Sequence, residues 1–158
     1  MRLGRWHNFV LTTKMEIRAI ADRDLKPISQ LYISIFSSPP WNEDWEYKWA
    51  YERLNWIYQS QGFMGFIARD KNEVTGAILG HFIPFKGKKG FKLVEFFVDI
   101  NCQNRGIGTK LLTRLELSLK NDYDFVLLLT AKNTDAESFY LNRDYRRDDK
   151  LVLLRREI

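Results

Sequence analysis

Apolar side chains change their period several times along this chain, and each change marks an element. M-E-I-R-A-I (15–20) alternates with period two, the pattern of a half-buried strand. From Leu25 the period lengthens: Leu25, Ile28, Leu31, Tyr32 and Ile35 recur at helical spacing, behind Asp22 or Asp24 as N-cap. S-S-P-P-W-N (37–42) ends that helix, because Pro39 and Pro40 lack amide protons and push the residue before each out of the helical region. A second helix is predicted from about Glu43 to Gln59, carrying Trp45, Trp49, Leu54 and Trp56. F-M-G-F-I-A-R (63–69) and V-T-G-A-I-L-G-H-F-I (74–83) then flank D-K-N-E, which reads as the turn of an antiparallel hairpin.

P-F-K-G-K-K-G (84–90) reads as a loop into the strand F-K-L-V-E-F-F-V-D (91–99). Beyond Q-N-R-G-I-G (103–108), Ile107, Leu111, Leu112, Leu115 and Leu119 make one apolar helix face. D-F-V-L-L-L-T (124–130) is apolar without alternation, which predicts a strand covered on both faces in the middle of a sheet. T-D-A-E (134–137) has the spacing of a capping box and opens a short helix through Phe139, Tyr140 and Leu141. Strands at 145–147 and 151–155 are predicted to close the chain. The order βααβββαβαββ mixes hairpins with helical crossovers, so the expected class is α/β: a mixed parallel and antiparallel sheet flanked by helices on both faces.

A chain of 158 residues is the size of one ordinary domain, and no linker, repeat or low-complexity stretch divides it. The formal charge of +5 suits an anionic ligand, nucleic acid or an acidic membrane surface alike. There is no aromatic RNA-binding signature and no arginine-dense recognition helix, so no nucleic-acid partner is expected. Cys102 is the single cysteine, which rules out an intrachain disulfide and a cysteine cluster for zinc and points to the cytoplasm. His7 and His81 lie far apart without metal-motif spacing, so no metal is expected. Residues 1–14 contain the apolar run Phe9 to Leu11, too short for a membrane span or signal core. They are expected to be an extension before a single domain over 15–158, with no membrane partner.

Gly106 and Gly108 sit where a strand turns into a helix. The dinucleotide fingerprint and the phosphate loop of nucleotide hydrolases are both absent. On local features the turn is either a tight connection or an anion site, since a helix N-terminus offers unsatisfied N–H groups and a positive dipole end. Arg105 and Lys110 add charge beside it.

V-E-F-F-V-D-I-N-C-Q-N-R-G-I-G-T-K-L-L resembles the coenzyme A motif of the GNAT superfamily of acetyl-coenzyme A-dependent N-acetyltransferases, Q/R-x-x-G-x-G/A, through Gln103, Gly106 and Gly108. N-T-D-A-E-S-F-Y-L-N-R-D-Y resembles the second motif, N-x-x-A-x-x-F-Y-x-x-x-G-F, through Asn133, Ala136, Phe139 and Tyr140. It departs at R-D-Y, where the family has G-F, but aspartate tolerates the left-handed conformation that ends such a helix. The two motifs stand in the family's order, and the resemblance extends over about 15–158.

The resemblance implies direct acetyl transfer from acetyl-CoA, as cosubstrate, to a primary amine of an acceptor expected to be a small molecule. Backbone groups of Phe97 and Val98 would hold the pantetheine. Gln103, Gly106 and Gly108 would form the pyrophosphate loop, completed by Asn104, Arg105, Ile107, Thr109 and Lys110. Asn133 would bond the cofactor arm, and Tyr140 would protonate the leaving thiolate or else simply fill a core. Glu95 is the candidate base; its plainer reading is a surface or hairpin-paired glutamate. Trp41, Glu43 and Trp45 would wall the acceptor pocket, or pack a helix corner. K-G-K-K-G-F-K (86–92) reads as a solvated hairpin tip that could also meet the 3′-phosphate. An acetyl-Cys102 intermediate is disfavoured, with no histidine near in sequence. A coenzyme A-binding fold without catalysis and a basic nucleic-acid module remain the alternatives; the acceptor is left open, and a homodimer is compatible with everything above.

Overall fold

The computed structural model describes residues 15–158, so the expected extension over 1–14 lies outside them. Two compact units divide the chain, one reaching to Leu128 and the other Leu129–Ile158. In the first, β1 (Glu16–Ala19), β2 (Met64–Asp70), β3 (Glu73–Phe85), β4 (Lys88–Val98) and β5 (Phe125–Leu127) form one sheet in the order β1-β2-β3-β4-β5. The first three pairings are antiparallel and β4 with β5 is parallel. The mixed α/β class expected from the element order is the one observed.

Helices α1 (Leu25–Phe36) and α2 (Tyr47–Tyr58) cover one face. Their Leu25, Ile28, Leu54 and Ile57 pack with Ile67, Ala77, Leu79 and Phe97 of the sheet. Helix α3 (Ile107–Leu119) covers the other: its Arg114 guanidinium lies 5.3 Å from the Phe66 ring centroid, and its Leu111, Leu112 and Leu115 are fully buried. A buried charge pair fixes the start of α1. Arg18 of β1 donates to both carboxylate oxygens of Asp24 at 2.7 Å, and the Ala21 N–H donates to the same carboxylate at 2.8 Å. These bonds hold the Asp24 carboxyl below the ordinary carboxylate range.

Four expectations are corrected. Residues 84–90 are not a loop: β3 and β4 run on to the pair Phe85↔Lys88, and Lys86 and Gly87 turn the chain with φ of 49° and 77°. Two successive positive φ values match the twist of a two-residue hairpin, a conformation that lysine does not advertise. Helix α2 begins at Tyr47 rather than Glu43, with Glu46 extended at the N-cap. The run 124–130 forms a strand only over Phe125–Leu127, and it lies at the sheet edge instead of the middle, with Leu129 exposed. An unbroken apolar run says that both faces avoid water; it does not say which neighbours supply the cover. Residues 145–147 and 151–155 adopt no strand, and Leu151 to Leu154 are exposed. A strand exists only with a ladder partner, which a local pattern does not provide.

In the second unit, α4 (Asp135–Leu141) is capped by Thr134, whose Oγ1 accepts the Glu137 N–H at 3.3 Å. The Glu137 carboxylate returns to the Asn133 N–H at 2.7 Å, one residue earlier than in the standard box. Asp144 takes φ 64°, and the Tyr145 N–H reaches the Tyr140 carbonyl at 3.2 Å, so aspartate ends this helix as glycine would.

The β3–β4 ladder shifts register between Leu79↔Glu95 and Gly80↔Leu93, which leaves Val94 as the extra residue of a bulge. A Cβ on Gly80 would run into the Lys92 carbonyl oxygen. Gly80→Ala is therefore expected to lower stability by about 1–3 kcal/mol, measured by urea denaturation; unchanged stability would show that the bulge can open to admit a methyl group.

Candidate functional site

Glu95 lies just past the bulge, opposite Leu79, and is 6% exposed. Arg53 of α2 donates its Nε–H to Oε1 at 2.5 Å across 42 residues of sequence. Tyr32 of α1 completes the group, its hydroxyl adding to the electrostatic surroundings of both Glu95 and Arg53. Burial pushes the Glu95 carboxyl above the ordinary range; Arg53 and Tyr32 pull it down, and Glu43 adds to the rise. The Tyr32 hydroxyl is raised by its own burial and by the Glu95 charge. Burial alone would lower Arg53, but Glu95 outweighs it and the guanidinium is stabilised. Glu95 is thus not a surface side chain: it is buried on the hairpin opposite Leu79 and ion-paired with the partly exposed Arg53 of α2.

The loop between α1 and α2 brings Trp41, Glu43 and Trp45 to the same rings. The Trp45 indole N–H donates to Glu43 Oε2 at 2.5 Å, and its ring meets Tyr32 edge-on at 4.9 Å. Tyr32 in turn stands 5.4 Å from Phe97 on β4. Trp41 lies 5.6 Å from Phe36, itself 6.1 Å from Phe97. Trp41 and Glu43 are exposed and Trp45 half-buried. Tyr32, Phe36 and Arg53 were missed as site residues. Tyr32 reads as core from its helical spacing, and nothing in the sequence links Arg53 to Glu95.

At its far end β4 passes into a short 3₁₀ turn, Ile100–Cys102, capped by Asp99, whose carboxylate accepts the Asn101 N–H at 2.8 Å. Gln103 then folds back, its Nε2 donating to the Val98 carbonyl at 3.2 Å. Asn104 takes φ 60°, and Gly106, the N-cap of α3, takes φ 76° with no side chain capping the helix. The first-turn N–H groups of Ile107, Gly108 and Thr109 thus have no side-chain cap. Ile107 anchors the turn in the core, while Arg105, Thr109 and Lys110 are exposed. Nothing lies within 4 Å of where a Gly106 Cβ would stand, so glycine is demanded there by φ and not by protein crowding. The β4–β5 ladder ends at Lys92↔Leu127, so β5 offers no partner to Leu93–Val98.

The Cys102 thiol is pushed up by burial and by Asp99, the opposite of an activated nucleophile. His81 stacks edge-on to Trp56 at 5.8 Å. At the hairpin tip Lys86 lies over its neighbour Phe85, 5.5 Å from the ring centroid. Among the described residues no group of three or more His, Cys, Asp or Glu is placed to hold a metal, and no helix is long and apolar enough to cross a membrane. In the second unit Tyr140 is 9% exposed, between Phe139 at 5.6 Å and Tyr145 at 5.4 Å. Asn133 is exposed and left-handed, φ 61°.

The fourth strand of this mixed sheet thus bulges, parts from the fifth and ends in a glycine turn with no side-chain cap on α3. The acetyltransferase (GNAT) family matches residues 26–145, and the chain belongs to that family. No curated protein matches the sequence. Solved structures do resemble it in fold. An aminoglycoside acetyltransferase, meta-AAC0020 from an uncultured soil metagenomic sample, in complex with sisomicin, gives TM-score 0.70 at 21% identity over 91% of this chain and 96% of that one. The ribosomal-protein-alanine N-acetyltransferase from Brucella melitensis biovar Abortus 2308 gives 0.71 at 14% identity, over 90% and 99%. AAC(6')-Iy in complex with the bisubstrate analog CoA-S-monomethyl-acetylneamine gives 0.71 at 16% identity, over 92% and 99%.

Arg147 and the Asn133 N–H hold the Glu137 carboxyl down to about 2. A folded value below the unfolded one means that its contribution to stability is present above the ordinary 4.5 and is lost as pH falls through about 2. Carboxyl NMR titration should find that low midpoint, and Arg147→Met should return it toward 4.5; an unmoved midpoint would show that Arg147 is not its cause.

Proposed function

We propose that residues 15–158 act as a single cytoplasmic N-acetyltransferase domain, preceded by an extension, which transfers acetyl from acetyl-CoA directly to a primary amine of a small molecule. The observation that carries this reading is the uncapped start of α3 at Gly106, inside the pattern Gln103, Gly106, Gly108. Its amides suit the pyrophosphate, with Asn104, Arg105, Ile107, Thr109 and Lys110 around them, and backbone of Phe97 and Val98 suits the pantetheine amides. Asn133 is assigned to the cofactor arm. No metal enters the reaction as proposed.

The acceptor reaches the site as an ammonium ion and must first lose a proton, which Glu95 takes directly or through one water. The amine nitrogen attacks the thioester carbonyl carbon, the C–S bond breaks, and the sulfur leaves as thiolate with its bonding pair. Tyr140 donates the proton that the thiolate takes up and regains one from the acetylated nitrogen. Trp41 and Trp45 provide walls and Glu43 a negative charge for a cationic acceptor. The sisomicin and acetylneamine complexes of two fold neighbours place aminoglycosides in the panel of amines to be assayed, beside polyamines, amino acids and peptide N-termini. One observation favours a second reading, coenzyme A binding without catalysis: the Arg53–Glu95 pair is a sufficient structural reason for a buried glutamate.

Calorimetry should detect acetyl-CoA binding, with a matching rise in Tm. Gly108→Val, inside the first turn of α3 where φ is not left-handed, should weaken it far more than it disturbs the fold, since the branch would crowd amides assigned to the pyrophosphate. No binding at millimolar acetyl-CoA by folded protein would end both readings. Tyr140→Phe keeps the ring and removes the hydroxyl; kcat should fall by about 10²–10⁴-fold with cofactor affinity unchanged. Wild-type turnover in single-turnover assays would leave Tyr140 as a packing residue.

A further inference from the structure

We propose that Arg53 is a positioning residue for Glu95, braced by Tyr32: α2 and α1 together aim the carboxylate on β4 and keep it charged. The inference rests on the reading of Glu95 as the proton acceptor. Its starting point is a conflict between burial and function. A carboxyl 6% exposed on a strand, facing Leu79 across the ladder, would ordinarily keep its proton, and a protonated acid cannot take one from an ammonium ion. Each element packed around it supplies a definite influence. Arg53 from α2 and the Tyr32 hydroxyl from α1 favour the charged form, Glu43 from the loop between those helices opposes it, and β3 contributes apolar Leu79.

Geometry gives Arg53 more than its charge. Nε meets Oε1 at 2.5 Å, and the planar guanidinium fixes the direction of that bond, as an ammonium on a flexible stem does not. Tyr32 is itself locked, 3% exposed, by Trp45 at 4.9 Å, Phe97 at 5.4 Å and Phe36 at 4.4 Å. The Arg53 side chain is 44% exposed against 8% for that of Glu95, so the guanidinium lies at the solvent boundary of the pair. An arriving ammonium would meet a carboxylate already oriented and ionised, and would compete with Arg53 for it.

The test follows the Glu95 carboxyl by ¹³C NMR, assigned by its disappearance in Glu95→Gln, and in parallel the pH dependence of kcat/KM with an amine the enzyme accepts. In Arg53→Met the carboxyl midpoint should rise by about 1–3 pH units, the usual effect of an opposite charge at this range. The acidic limb of kcat/KM should rise with it. Arg53→Lys should restore the midpoint while kcat stays below wild type. Tyr32→Phe, which preserves the ion pair, should move midpoint and limb in the same direction by less, and it keeps the test in force if Arg53→Met does not fold. Midpoints unmoved in folded Arg53→Met or Tyr32→Phe would overturn the positioning role, while Glu95→Gln activity judges the base by itself. A midpoint that moves while the acidic limb stays fixed would overturn Glu95 as proton acceptor, and the catalytic purpose of Arg53 with it.

Discussion

Strand β4 is paired with β3 from Lys88 to Val98 but with β5 only from Gly90 to Lys92, and the arrangement of the candidate site depends on that early stop. Had the parallel ladder continued, the far half of β4 would have had both its edges committed to the sheet. Instead, past Lys92 the strand bulges at Val94, presents Glu95 to the helices on one face, and ends in a turn with no side-chain cap on the helix that follows. A bulge adds a residue without a ladder partner and increases the local twist. Here the extra residue falls two positions after the parallel ladder ends.

The first unit buries two carboxylates beside arginines, and their fates differ for reasons that can be separated. Asp24 receives two guanidinium N–H groups and a backbone N–H, and these outweigh its desolvation, so its carboxyl is lowered. Glu95 is held by a single Nε contact, with Glu43 nearby, and burial prevails, so its carboxyl is raised. A residue bonded as Asp24 is serves to lock β1 to α1 and has little tendency to exchange protons. A carboxylate less fully bonded is closer to the balance point that proton transfer from an amine requires.

The aromatic residues link these parts. Tyr32 and Phe36 belong to α1 and Trp41 and Trp45 to the loop after it, yet all contact one another or Phe97 of β4. Aromatic rings pack edge to face over several ångströms, so a chain of them carries the position of one element to the next. The loop between α1 and α2 is thereby referred to the strand that bears Glu95.

What the sequence determined by itself was local: the periods that place α1, α3 and the β2–β3 hairpin, the Thr134 cap, the left-handed Asp144, and the motif spacing around Gly106 and Tyr140 that marks the family. Each of these depends on side chains within a few residues of one another, where spacing translates into a face, a cap or a turn. Tertiary structure alone decided that the apolar run at 124–130 would be an edge, that Lys86 would turn a hairpin, and that residues 151–155 would have no ladder. It alone brought Arg53 to Glu95, Trp45 to Tyr32 and Trp41 to Phe36. An ion pair across 42 residues and a strand's place in a sheet are set by which surfaces meet when the chain folds, and no periodicity in the residues themselves encodes the partner.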